Sequence, residues 1–246
     1  MKRVLPILAA AVIGGAGFAA SGSASASPED QETANAAITA FNEQMTEAGG
    51  ESSGPPDTTP IDPEEYAAEN PGSECFGEFA TGLDPGGHVE GETARADSDH
   101  FSLPGDGGTD EIDAGVVIVD EDHADTVRDF VELLGSEELA TCLEVAFSAL
   151  METEAAAVEE ASGSTMAGDI GSIEVETESD IGVGDASAHV RLASVFTFDE
   201  VTYTANLDLY AAVSDRSLAA ITFGTDEEPA TDFDPVAALE DLLESL

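Results

Sequence analysis

Two cysteines, three histidines flanked by carboxylates, an Asp-Gly turn and a Gly-Ser-Thr triplet are the residues of this 246-residue chain best equipped for chemistry. Cys75 lies between Glu74 and Phe76, and Cys142 falls on the apolar face of a predicted helix. Bonded to each other they would close a loop of nearly 70 residues, worth about 4 kcal/mol in the chain-entropy account of cross-links. The alternative is two separate buried thiols, and an oxidising destination favours the bridge. His88, His100 and His123 sit beside acids, as in Asp97-Ser98-Asp99-His100 and Asp120-Glu121-Asp122-His123, a combination that can ligate transition metals. None has a second histidine four residues away, and 53 acidic residues place carboxylates next to histidines by composition alone, so no metal site is assigned. Asp106-Gly107-Gly108-Thr109-Asp110-Glu111-Ile112-Asp113 lacks the alternating oxygens and the closing glutamate of a calcium loop, and reads as a solvated hairpin connection. Gly163-Ser164-Thr165 has no basic partner nearby and no Gly-x-Ser-x-Gly elbow around it. Carboxylates are too numerous to single out a glycosidase pair. No catalytic residue and no cofactor are assigned.

The ends and the charge say where such a chain would work. Lys2 and Arg3 precede the apolar stretch 4–20, and Ala24-Ser25-Ala26 offers the small-x-small pattern of a signal-peptidase site. The reading is therefore a signal peptide over 1–26, cleaved after Ala26, rather than a retained anchor, because Gly14, Gly15 and Gly17 break a core already short for a span. No cysteine near the cleavage site marks a lipoprotein. Expected localisation is secreted and extracellular, with a mature form that is not an integral membrane protein. Cleavage removes the single lysine and leaves Arg95, Arg128, Arg191 and Arg216 against 53 acidic residues, a balance of −49. Nucleic acid is excluded as a partner, since no Lys/Arg cluster exists to displace phosphate counterions. The acidity is dispersed through every segment rather than gathered in a tail, which points to a surface adapted to a salty medium, where counterions screen self-repulsion.

Positioning these residues falls to a strand–helix–strand succession. Gln31 to Ala48 carries Ala34, Ile38, Phe41 and Met45 at helical spacing, a helix that either docks on the domain or forms only transiently. Gly49 to Pro63 has the Gly/Ser/Pro composition of a linker. Residues 27–69 are thus a flexible acidic segment, and 70–246 a single domain. Within it, Glu92 to Ser102 is a candidate strand, and Val116-Val117-Ile118-Val119 belongs to a strand, Ile112 to Val119, buried on both faces. Asp120-Glu121-Asp122 suits a helix start, followed by the stripe Val127, Phe130, Val131 and Leu134. Gly135-Ser136 divides it from a second helix bearing Leu139, Cys142, Leu143, Ala146, Phe147 and Leu150. Ile173, Val175 and Thr177 alternate with glutamates in a half-buried strand. Pairing across Asp199-Glu200 sets Phe196 opposite Tyr203 and Leu192 opposite Leu207, so odd-numbered residues from Val201 to Val213 face the core of a meander with one wet face. A turn at Asp215-Arg216 leads to the strand Leu218 to Phe223, and Asp234-Pro235 caps a closing helix with Val236, Leu239, Leu242, Leu243 and Leu246 inward.

Four features also stand in a fixed order: the early Cys75-Phe76, the strand Val116–Val119 leading to Ser136–Leu143 with its Leu-x-x-Cys-Leu ending, Gly184-Asp185-Ala186-Ser187 opening a long hairpin, and the strands of Leu207–Phe223 before an Asp-Pro-capped helix. Over about residues 70–246 this layout resembles the PknH-like extracellular sensor domain family of actinobacterial secreted proteins. The resemblance implies an α+β fold with a twisted antiparallel sheet, helices packed against it and a ligand cleft between them. It supplies no catalytic residues. The chain departs from the family in lacking a kinase, a transmembrane helix and a lipobox, and in having two cysteines where relatives often have more. The expected function is a secreted, non-enzymatic ligand-binding or sensor-like module of a salt-adapted actinobacterium. Its partner would be an unknown small molecule or an envelope component. A structural or envelope-interaction protein without a small-molecule ligand is the alternative, and an unrecognised hydrolase is the third reading.

Overall fold

A computed structural model describes residues 27–54, 89–105, 108–145, 148, 170–198, 201–226 and 228–246. Helix α1 (Pro28–Glu47) opens it, followed by β1 (Glu51–Ser52), β2 (Glu92–Asp97), β3 (Phe101–Gly105) and β4 (Gly108–Val119). A 3-10 turn (Glu121–His123) leads to α2 (Ala124–Leu134), and residues 137–145 form a further helix, α3. The strands β5 (Ile170–Ser179), β6 (Ala186–Phe198), β7 (Val201–Ser214) and β8 (Ser217–Thr225) precede α4 (Pro235–Glu244). The expected α+β class is what these elements form: one antiparallel sheet in the order β1-β3-β4-β8-β7-β6-β5, with β2 pairing the same edge of β4 further along.

Helices cover both faces of that sheet. On the front face, α1 and α4 pack against Ile112, Ala114, Val116 and Ile118 of β4, Ala212 of β7, and Ala219, Ile221 and Phe223 of β8. On the back face, α2 lies on Val117 and Val119 of β4, Ala211 and Val213 of β7, and Leu218 of β8, while Leu139 and Leu143 of α3 meet Ile173, Val190, Leu192, Leu207 and Leu209. β4 therefore has apolar side chains on both sides, which is why its run of β-branched residues shows no alternation. Its N-terminal part extends to Gly108, further than the apolar run alone suggests.

The segment before the linker is part of the core. Ser27 caps α1, its Oγ accepting from Asp30 N–H at 3.3 Å, with Pro28 at the first turn. Ala34, Ile38, Phe41 and Met45 are all buried, so the helix docks. β1, inside the expected linker, pairs with β3 through Glu51–Ser102 and Ser52–Phe101. The folded unit thus includes residues 27–54 rather than starting near residue 70; a narrow stripe of four apolar residues sufficed because it meets a complementary apolar sheet face. The rest of the linker, 55–63, lies outside the described residues.

Three local expectations need correction. The candidate strand 92–102 is two strands, β2 and β3, that pair successive stretches of β4. The acids at 120–122 do not cap a helix through their side chains; Asp120 instead holds His123. The turn after β3 is a hairpin, Gly105 pairing Gly108, with Asp106 and Gly107 outside the described residues, but it is not simply solvated. Asp110 is wholly buried, its carboxylate accepting from the N–H groups of Ala230 and Thr231 at 2.8 Å each and from the Thr231 hydroxyl at 2.5 Å. A Cβ on Gly105 would stand 1.8 Å from the Ala230 carbonyl, so only glycine lets the two segments meet. Asp110→Ala should remove three charge-assisted bonds and leave their three partly buried donors without that acceptor, lowering stability by about 3–5 kcal/mol. Chemical denaturation is the check, and an unchanged midpoint would show that the 230–231 segment is held some other way.

Candidate functional site

Alternation along β5, β6 and β7 puts a row of polar side chains on the front face, beside α4. The register sets Glu178 opposite His189 and His189 opposite Tyr210; one row further, Glu176 faces Arg191 and Arg191 faces Asp208. Arg191, His189 and Tyr210 are half-buried, Asp208 is buried, and Glu174, Glu176 and Glu178 are exposed. The wet face expected of the meander is therefore real on β5 but not on β7. There the second helix layer closes over Ala212, and Asp208 and Asn206 are out of solvent.

Asp208 takes up His189 rather than the arginine opposite it. Its Oδ1 lies 2.6 Å from His189 Nε2. A carboxylate only accepts, so Nε2 carries the proton, and Nδ1 has no partner among the described residues. The imidazole stacks on the Tyr210 ring, with centroids 4.3 Å apart and planes 7° from parallel. Burial, then the nearby Asp208, push the Tyr210 phenol up to about 12, so it stays a neutral donor. Arg191 is left over. Among the described residues it has no ion-pair or hydrogen-bond partner, although carboxylates stand directly across from it on both neighbouring strands.

A second charged cluster lies where β2, β3 and β4 meet. His100 donates from Nδ1 to Asp113 at 3.0 Å and from Nε2 to Glu111 at 2.9 Å. Those two bonds push its pKa up to about 10. With both ring nitrogens donating, no lone pair remains for a metal. Arg95 Nη2 lies 2.8 Å from Glu92 Oε2 in a buried pair. Asp97, opposite Gly115, is raised to about 6, chiefly by burial. His123 is held by Asp120 at 2.6 Å, with Glu90 at 3.8 Å. Among the described residues no group of three or more metal-ligating side chains converges. His88 and Gly163-Ser164-Thr165 lie outside the described residues.

Unlike His88, His100 and His123, His189 has no carboxylate beside it in the chain, its neighbours being Ala188 and Val190, so nothing in its local sequence marks it. Its signal was nevertheless present in the register. Once Leu192 is set opposite Leu207, Arg191 must face Asp208 and His189 must face Tyr210.

No family model matches the chain, and no curated protein matches it. Among solved structures it is similar to the extracellular domain of PknH from Mycobacterium tuberculosis, at 10% identity over 76% of this chain and 96% of that one, with a TM-score of 0.34. A likeness that weak assigns neither family nor activity. No helix of the described residues is long and apolar enough to cross a membrane.

Cys142 sits half-buried on α3 and is disulfide-bonded. Cys75 lies outside the described residues, so its pairing with Cys142 is proposed here on the ground that the chain has two cysteines. Thiol titration of the denatured, unreduced mature chain should find no free sulfhydryl, and two per chain would refute the pairing.

Proposed function

We propose that this chain is a secreted, non-enzymatic ligand-binding or sensor-like module of a salt-adapted actinobacterium, and that its ligand docks on the front face of β5–β7. The observation that supports this is Arg191, which has no partner among the described residues, beside the His189–Tyr210 stack. Among the described residues Arg95, Arg128 and Arg216 each hold an acid and Arg191 does not, and Arg191 is presented on a half-open polar face with an aromatic platform next to it. Few convergent polar groups around an aromatic surface are what small-molecule sites present. The expected position between sheet and helices gains no support from the part covered by α1 and α4, where Ala34, Val116, Ala212, Ala219, Ile221 and Leu239 are wholly buried. That filled interface favours the alternative, a structural or envelope-interaction protein. A hydrolase would draw on the His189–Asp208 pair alone.

A thermal-shift screen of small metabolites and lipids in molar potassium chloride, run on the native chain and on Arg191→Gln, separates these readings. Compounds that raise the native melting temperature and lose their effect in the variant support the strip. Compounds that act equally on both place the ligand elsewhere, and a screen without hits leaves the structural reading. The salt dependence is itself an expected result. Among the described residues only a few carboxylates meet a cation, so stability should climb from low ionic strength to molar salt as the Debye length contracts from about 10 Å to about 3 Å. Sodium and potassium chloride should act alike. Full recovery by micromolar calcium alone, at low salt, would instead reveal a specific metal site.

A further inference from the structure

We propose that the front-face strip recognises a small zwitterion of the α-amino-acid type, whose carboxylate meets Arg191 and whose ammonium meets the glutamates of β5. The proposal rests on the docking surface argued above and names its ligand class. Arg191 and Glu176 are direct cross-strand partners, so their Cβ atoms stand about 5 Å apart. Neither has a hydrogen-bond or ion-pair partner among the described residues, and Glu176 and Glu178 are exposed. An opposite-charge pair directly across two strands ordinarily closes on itself; here it stays open, with its second candidate acid, Asp208, committed to His189.

An open pair of this kind is a fixed dipole. It presents a guanidinium fork, which matches a carboxylate bidentately, and a carboxylate one strand away, which matches an ammonium. The two side chains rise from strands about 4.8 Å apart, which suits a molecule whose two charged groups sit on one carbon rather than at the ends of a long chain. The His189–Tyr210 stack beside them offers an apolar surface to the ligand's hydrocarbon, and the neutral Tyr210 hydroxyl and the free His189 Nδ1 offer further hydrogen bonds. Charge also decides against simpler ligands. A lone anion would have to approach Arg191 through Glu174, Glu176, Glu178 and Asp208, in a mature chain of net charge −49. A lone cation would be drawn equally to any acidic patch and would leave Arg191 unused. A zwitterion carries no net charge to be repelled and satisfies both poles at once.

The test uses three molecules of one shape: L-alanine, propionate, which lacks the ammonium, and ethylammonium, which lacks the carboxylate. Each is titrated into the full mature chain and followed by amide and side-chain NMR at moderate and at molar potassium chloride. Alanine should shift the Arg191, Glu176 and Tyr210 signals saturably, and both fragments should bind at least about tenfold more weakly, the loss of one charge-assisted contact. Arg191→Gln and Glu176→Gln should each weaken alanine by a similar factor with melting temperatures close to native. Propionate binding as well as alanine, alanine binding unaltered in either variant, or no saturable shift at millimolar alanine would each overturn the proposal. Arg191-dependent hits that are not zwitterions, in the screen described above, would overturn the ligand class while leaving the docking surface standing.

Discussion

Leu207→Asp should leave the domain unfolded at neutral pH. Leu207 is buried between the sheet and α3, among Ile173, Val190, Leu192, Leu209 and the leucines at 139 and 143. The side chains it packs with in that cluster are apolar, so a carboxylate there has no charged partner. Losing the apolar burial and desolvating a charge together cost more than about 4–5 kcal/mol, a large share of the 5–15 kcal/mol that holds a domain together. The same change one residue along tests the opposite face. Asp208→Leu keeps the buried volume but takes the acceptor from His189 Nε2. Because the imidazole side chain is 18% exposed and can find water, the expected loss is about 1–3 kcal/mol. Far-ultraviolet circular dichroism melts of both variants decide the matter. Equal melting temperatures would mean that β7 does not have the register described.

Those two positions also show what could be read in advance. The alternation of Val201–Val213 and the residues of the turns were enough to place Leu207, Leu209, Ala211 and Val213 inward, and to pair Leu192 with Leu207, as they are. The caps of α4 were equally legible: Asp234 accepts from Val236 and Ala237 N–H, and Pro235 follows it. Alternation along one strand, however, reports polarity and not cover. Asp208 reads as a solvent residue until the fold buries it and His189, from the neighbouring strand, takes up its carboxylate. Asp110 is the same case, since its ligands are backbone N–H groups 120 and 121 residues away, and backbone donors leave no trace in composition. The recognition strip was half visible. Its members follow from a register already in hand, but the openness of the Arg191–Glu176 pair is a matter of side-chain geometry.

Breaking the tie between Asp30 and Arg216 should release α1, and the effect should vanish in acid. Arg216 donates to Asp30 through Nη1 at 2.9 Å and Nη2 at 2.6 Å, and Nη1 also reaches the Val119 carbonyl at 2.8 Å. Thr93 donates a third bond to the carboxylate at 2.7 Å. One bidentate pair thus joins the first helix, the end of β4 and the β7–β8 turn, across 186 residues of chain. The Arg216 bonds, foremost, hold the Asp30 carboxyl down at about 2, against 3.8 when exposed. A depressed carboxyl stabilises the fold in its ionised form, so its contribution is complete above pH 3.8 and lost as pH falls through about 2. Integrated, that shift is worth about 2 kcal/mol. Asp30→Asn should therefore lower stability by about 2–3 kcal/mol near neutrality, the upper figure allowing for the third bond. Asp97 acts in the opposite sense. Raised to about 6, it favours the fold when protonated, an advantage present below pH 3.8 and lost as pH rises through 6. The native curve mixes the two, but the difference between native and Asp30→Asn isolates the first, since both chains carry Asp97. That difference should be flat above pH about 5 and shrink toward zero as pH approaches 2. A gap that persists undiminished to the acid limit would show that α1 is held by its apolar stripe alone, with the ion pair a bystander.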